Sequence, residues 1–290
     1  MSKIYSAAFV WLSVLFFLGF CASVEVRAED PKPEEIVAKH LDSIGTKEKR
    51  AAIKNQMAVG TGQFSVVRSP AFTKGKRLLG GAVFLSEADK LFIGAKYDAP
   101  EYPFDEIVYD AKSVGVPFSS VGKRPILGDI ILAHTYLVSE GLLGGSITTT
   151  WGLINLESRQ AKIKGGGKKK VNGRQAYVIN YMVKGGSSFS IKLFFDAENF
   201  QHIRSEYQQV FSAPMGPTMR DSAQQNQTVR RMTEEFSNFK TVDGLTLPYS
   251  YLINYADEGN KNSEFEWAFE FKEYLHNQKI DAASFEMKQN

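Results

Sequence analysis

Glu264-Phe265-Glu266-Trp267-Ala268-Phe269-Glu270-Phe271-Lys272 places an aromatic ring at every second position and a charge or an alanine between. Side chains of a β-strand point alternately to opposite faces, so this stretch reads as a strand with one apolar and one wet face. The same period runs back through the preceding segments. Leu245 to Tyr255 is a strand that Asp243-Gly244 joins to another over Thr228–Phe239. Before it, Asp196-Ala197-Glu198-Asn199 turns the chain into a strand over His202–Phe211. Phe189, Ile191, Leu193 and Phe195 alternate with Ser188, Ser190 and Lys192, after a turn at Lys184-Gly185-Gly186-Ser187. Asn172-Gly173 is a two-residue hairpin signal. Met215 to Gln227, with Pro214 and Pro217 close by, reads as a long loop.

The N-terminal half follows the same rule more loosely. Phe64-Ser65-Val66, Ala82-Val83-Phe84-Leu85 and Leu91-Phe92-Ile93 read as strands between Gly-rich and charged turns. Pro100, Pro103 and Pro117 frame a short strand near Ile107-Val108-Tyr109, which suggests edges and loops. Two segments have helical period. Asp30-Pro31-Lys32-Pro33-Glu34-Glu35 opens the first, with Asp30 as a cap and the glutamates at the positive end of the dipole. Its stripe is Ile36, Val37, Leu41 and Ile44, and Gly45 ends it. The second runs from Pro125 to Gly145 and is apolar almost all round, so it is expected to be buried or to cover something apolar. No change of composition divides the chain, and no solenoid-type repeat is visible. The pattern predicts one α+β domain: a long, strongly twisted antiparallel sheet with one helix at its start and one in its middle.

The N-terminus predicts export. Lys3 precedes an apolar run from Ala7 to Phe20, and Val26-Arg27-Ala28 supplies a cleavage-like end. The run is shorter than the roughly 20 residues that span a bilayer. Residues 1–28 are therefore expected to be a cleaved signal peptide and 29–290 a single domain outside the cytoplasm. The alternatives are a retained anchor and a lipoprotein cut before Cys21, although Phe20 is bulky where a lipobox needs a small residue. Cys21 is the only cysteine, so a chain that loses it must rely on its core rather than on disulfides. The formal net charge of +3 is near balance and argues against nucleic acid as a partner. Lys168-Lys169-Lys170 is the one dense basic run and reads as a solvated hairpin tip.

Catalytic patterns are scarce. His40, His134, His202 and His276 show none of the spacings of a metal site, and His40 and His134 read as packed, hydrogen-bonded histidines. There is no G-x-S-x-G elbow, and Gly165-Gly166-Gly167-Lys168 lacks the spacing of a phosphate loop. Carboxylates are plentiful, but sequence does not pair them. What stands out is physical. Phe189, Leu193, Phe195, Tyr249, Tyr251, Tyr255, Phe265, Trp267, Phe269 and Phe271 all fall on an inward-facing register. Two helices are few to cover so much apolar surface. Either the sheet curls and fills its own interior, or it stays partly open around a ligand.

Four motifs, taken in order, resemble the LolA-like family of periplasmic carriers of outer-membrane lipoproteins. They are Pro33-Glu34-Glu35-Ile36-Val37-Ala38-Lys39-His40-Leu41, Val171-Asn172-Gly173-Arg174-Gln175-Ala176-Tyr177, Phe194-Phe195-Asp196, and Phe239-Lys240-Thr241-Val242-Asp243-Gly244-Leu245-Thr246-Leu247-Pro248. The resemblance implies an unclosed half-barrel sheet covered by a few helices, with a hydrophobic cavity beneath a helical lid and an acyl chain as ligand. It makes Pro125–Gly145 the lid or plug, and puts Ile130, Leu137 and Leu142 in the cavity when no lipid is bound. With Phe189, Leu193, Phe195, Tyr251, Phe265, Trp267 and Phe269, these form the expected ligand cavity. No cofactor, metal or catalytic residue is implied. The expected partners are a lipidated protein or lipid and a membrane donor or acceptor protein. An envelope-stress sensor or regulatory module on the same scaffold is the alternative, and an enzyme using cleft carboxylates is the third reading.

Overall fold

The computed structural model describes residues 30–212, 228–259 and 262–287. The signal-peptide expectation and the Met215–Gln227 loop lie outside these residues. Within them, the period-two segments pair into one antiparallel sheet. Its strands are β1 (Asn55–Arg68), β2 (Arg77–Glu87), β3 (Lys90–Tyr97), β4 (Phe104–Tyr109), β5 (Val114–Gly115), β6 (Lys162–Val171), β7 (Arg174–Met182), β8 (Ser190–Asp196), β9 (His202–Phe211), β10 (Thr228–Val242), β11 (Leu245–Asp257) and β12 (Ser263–His276). The order across the sheet is β5-β4-β3-β2-β1-β12-β11-β10-β9-β8-β7-β6. Chain neighbours pair throughout, except β5 and β6. The one long-range closure is β1 against β12, which joins the two halves. β5 and β6 form the two outer edges, so the sheet is not a closed barrel.

The sheet is strongly curved, as contacts between distant strands show. Trp267 on β12 and Asp105 on β4 are four strands apart, about 19 Å in a flat sheet. The Trp267 indole N–H nevertheless donates to the Asp105 carboxylate at 2.8 Å. Phe84 on β2 and Tyr251 on β11 are three strands apart, yet their ring centroids are 5.8 Å apart. Inward residues of both halves therefore meet over one concave face. Phe265, Trp267, Phe269 and Phe271 of β12 are all buried there, and Glu270 and Lys272 are exposed on the other side. A smaller apolar cluster of Val171, Ala176, Val178, Phe194 and Ile203 sits apart from the main core.

The hairpin signals hold. Asn172-Gly173 links β6 to β7 and Asp243-Gly244 links β10 to β11, with positive φ at all four residues. Lys168, Lys169 and Lys170 are exposed, but they lie in edge strand β6 rather than in a turn. The chain reaches the tip only at Asn172, after a register shift between Gly165 and Lys168.

The helices differ from expectation in three ways. The first, α1 (Pro33–Ile44), has Lys32 rather than Asp30 at its N-cap position, with no side-chain cap and Pro33 in its first turn. It buries Ile36, Val37, His40 and Ile44, and touches both β6 and β11. A short α2 (Lys47–Ala52) follows, capped by the Thr46 hydroxyl, which accepts from the Lys49 N–H. The single helix expected over Pro125–Gly145 is instead broken. It comprises α3 (Ile126–Ala133), α4 (Tyr136–Ser139) and a 3-10 turn at Gly145–Ile147, with α5 (Leu156–Arg159) beyond it. The break falls at His134, whose φ of −140° and ψ of 52° leave the helical region. Among the described residues no helix is long and apolar enough to cross a membrane.

Candidate ligand-binding trough

The concave face is occupied by the chain's own middle segment, residues 126–159. Leu127, Ile131, Leu137, Val138, Leu142, Leu143, Ile147, Trp151 and Leu153 are buried among the inward side chains of the strands. The segment takes no part in the sheet. All ten residues expected to line a cavity, namely Ile130, Leu137, Leu142, Phe189, Leu193, Phe195, Tyr251, Phe265, Trp267 and Phe269, are buried in this one continuous core. The interior is therefore filled, with plug and sheet packed against each other. Within α3, Leu127 and Ile131 are fully buried against the sheet, while Ile126 is half-buried and Ala133 is exposed.

Hollows remain at the two ends of the plug. One, of about 500 Å³, is lined by Ile126, Asp129, Ile130, Ala133 and His134 of the segment. Facing these across the hollow are Ser69–Phe72, Arg230, Tyr255, Asp257, Ser263 and Phe265. The other, of about 560 Å³, lies between α1, α2 and the returning stretch Ser146–Asn155, with Lys47, Arg50 and Lys54 at its rim. Strand β1 runs from one to the other, since Gln56 lines the second and Ser69 the first. At about 3.3 Å per residue the path along β1 between them is roughly 40 Å.

Polar groups hold the plug, and sequence reading missed the two most important. Glu234 sits between Met232 and Phe236 on the inward register of β10 and is fully buried. Its carboxylate accepts from the Gly144 N–H at 2.7 Å, the Tyr207 hydroxyl at 2.5 Å and the Tyr251 hydroxyl. Burial pushes this carboxyl above the usual range, and the donated hydrogen bonds pull it back. Asp105 is the counterpart at the other end. It accepts from Tyr102, Trp267 and Tyr97, and the Tyr102 hydroxyl in turn accepts from the Ile126 N–H, the first residue of α3. Burial raises the Asp105 carboxyl to about 6, against those hydrogen bonds. The readable signal in both cases is an acidic residue at an inward position of an otherwise apolar alternation.

The histidines are packed rather than exposed. Trp151 donates its indole N–H to His40 Nε2 at 2.9 Å, so that nitrogen carries no proton. His40 Nδ1 therefore donates to the Phe200 carbonyl at 3.0 Å. Burial holds His40 down at about 4, consistent with this neutral tautomer. His202 stacks on Trp151 with centroids 4.8 Å apart. His134 Nδ1 lies 3.0 Å from the Ser188 hydroxyl. The segment also folds on itself. The Gly152 N–H donates to the Gly141 carbonyl, and Arg159 spans to the Ser139 and Thr150 carbonyls and to Asp89.

No family model and no curated protein matches the sequence. Several solved structures resemble the chain. A DUF1329 family protein from Desulfovibrio piger shares 11% identity at a TM-score of 0.48, over 89% of this chain and 98% of that one. A LolA superfamily protein from Nitrosomonas europaea shares 13% identity at a TM-score of 0.46, over 88% and 97%. An outer membrane lipoprotein-sorting protein domain from Vibrio parahaemolyticus shares 12% identity at a TM-score of 0.45, over 86% and 97%. The second and third are named for the family that the sequence motifs resemble.

Proposed function

We propose that this protein is a periplasmic carrier or binder of lipid, taking acyl chains into the concave face of its sheet when the 126–159 segment moves aside. In this reading residues 1–28 direct export and 29–290 form the lipid-binding domain. The observation that carries it is the nature of the occupant. A curved apolar face about 40 Å long is filled by a broken, glycine-bearing segment that shares no strand pairing with it and leaves a hollow at each end.

The energies are commensurate. An acyl chain gains about 0.8 kcal/mol per buried methylene, so about 15 of them gain about 12 kcal/mol before the costs of association. The plug buries nine aliphatic side chains, namely Leu127, Ile130, Ile131, Leu137, Val138, Leu142, Leu143, Ile147 and Leu153. At about 1.5–3 kcal/mol each, these represent a term of the same order. Two occupants of similar worth for one surface allow loading and release by population shift.

The test is native mass spectrometry of protein purified from its own envelope, with extraction of whatever is bound, followed by hydrogen exchange with and without the extracted lipid. Bound lipid and altered exchange across 126–159 are expected. Protein that carries no lipid, and takes none up from solution, sinks the reading.

A further inference from the structure

The end of the sheet that bears the 500 Å³ hollow has a second unusual property. The strand directions put the β1–β2 loop and the β3–β4 loop at this end. The loop that leads into α3 joins them there, since the Ile126 N–H is bound by Tyr102 of the β3–β4 loop. That last loop is a tight hairpin. The Ser119 N–H donates to the Lys123 carbonyl at 2.8 Å, and the turn is made by Val121-Gly122, with Gly122 at φ +69°. Turn apices ordinarily carry small or polar residues. Here the apex is Val121, at 101% exposure, with Phe118 beside it at 46%. On the β1–β2 hairpin, Val67 and Leu79 are also exposed.

Cations surround these apolar tips. Arg124 lies over the Phe118 ring, 4.0 Å from its centroid. Lys74, Arg77 and Lys123 are exposed and make no ion pair among the described residues. The nearby carboxylates Glu264, Glu101 and Asp257 are taken by Arg68, Lys76 and Arg230. Asp129 lines the hollow, and Asp98 is the remaining acid of the β3–β4 loop. Local charge is thus positive, although the whole chain is nearly balanced.

We infer that this end docks on an anionic lipid surface, with Val121 and Phe118 entering the interface and Lys74, Arg77, Lys123 and Arg124 facing the headgroups. Apolar tips ringed by unmatched cations suit such a surface, since each contributes a separate attraction. The surface stands apart from the proposed trough, although it borders the hollow through which lipid would pass.

Co-sedimentation with phosphatidylglycerol-containing and pure phosphatidylcholine vesicles tests the inference, with uptake of a fluorescent fatty acid from solution as a separate readout of the trough. The protein should bind the anionic vesicles more tightly. Val121→Asp should weaken this about tenfold. Lys74→Gln and Lys123→Gln should each weaken it about fivefold, and salt should do the same. Fatty-acid uptake and thermal unfolding should be unchanged in all three variants. Vesicle binding without uptake supports the surface while refuting the trough. Uptake without vesicle binding, or equal binding by Val121→Asp, overturns the surface. Self-association that Val121→Asp abolishes, in the absence of vesicle binding, assigns the hairpin to a second copy of the chain and also overturns it.

Discussion

The amide of Gly144 donates to the carboxylate of Glu234 at 2.7 Å, joining the tip of the plug to the inner face of β10 where both groups are buried. A carboxylate in such a place is tolerated because three donors converge on it, and its loss removes the acceptor of the Gly144 N–H and the Tyr251 hydroxyl, while Tyr207 keeps the Leu142 carbonyl. Glu234→Ala is expected to cost about 3–5 kcal/mol in urea unfolding. It should also raise hydrogen exchange at residues 141–147 more than in the sheet. Uniform exchange across the fold would show that the carboxylate does not hold the plug in particular.

Leu137 is fully buried at the middle of the plug. Leu137→Ala should destabilise the protein by about 2–5 kcal/mol, including the cavity that remains. If plug and lipid compete, the same variant should bind fatty acid more tightly than the wild type, as equilibrium fluorescence titration would read. Weaker binding would place Leu137 among the ligand's own contacts.

Gly141 has a φ of +65°, and a Cβ there would come within 1.8 Å of the Thr150 carbonyl oxygen. Gly141→Ala therefore combines left-handed backbone strain with a clash against the Thr150 backbone. A loss of roughly 3 kcal/mol or more is expected in thermal unfolding.

His40 gives a pH signature of definite sign. Its folded value is about 4 and its ordinary value 6.5. Below pH 6.5 the unfolded chain gains a proton that the folded protein refuses, so stability is lost as pH falls from 6.5 to 4. Asp105, raised from 3.8 to about 6, has the opposite sign, with stability falling as pH rises through that range. In the wild type these slopes are summed with those of His134 and His202, which share the sign of His40, and of Glu234, which shares that of Asp105. The difference between His40→Gln and wild type isolates one of them. It should shift in favour of the variant by roughly 3 kcal/mol as pH drops from 6.5 to 4, measured by urea unfolding at each pH. A difference that does not vary with pH would mean His40 takes up its proton as readily in the fold as in the unfolded chain.

Much of the sheet is legible from local chemistry. The alternation at 265–271 and the Asn-Gly and Asp-Gly dipeptides each specify strand faces and turns without help from distant residues. The plug is harder to read. Ile126 to Val138 has a helix-like run of apolar residues, so its period suggests one rod, but the concave surface asks for a filler that bends. His134 and the left-handed glycines 141, 144 and 145 supply the bends. The short α2 escapes because Lys-Glu-Lys-Arg-Ala-Ala has no apolar stripe, and none of its residues is buried. Glu234 and Asp105 are visible as misfits in their strands. Tyr207 and Tyr251 reach Glu234 from the flanking strands β9 and β11, and Tyr97 and Tyr102 reach Asp105 from β3 and the β3–β4 loop. Trp267 comes from β12, four strands away, and only the curvature of the sheet brings it to Asp105.

The plug is joined to the sheet by peptide bonds at both ends. Its local concentration at the concave face is therefore a property of the chain, on the millimolar scale typical of short tethers, and dilution does not change it. A dissociable inhibitor would let go at low protein concentration; this one does not. If the trough takes lipid as proposed, the midpoint of loading, read as free lipid, should not vary with how much of the protein is present.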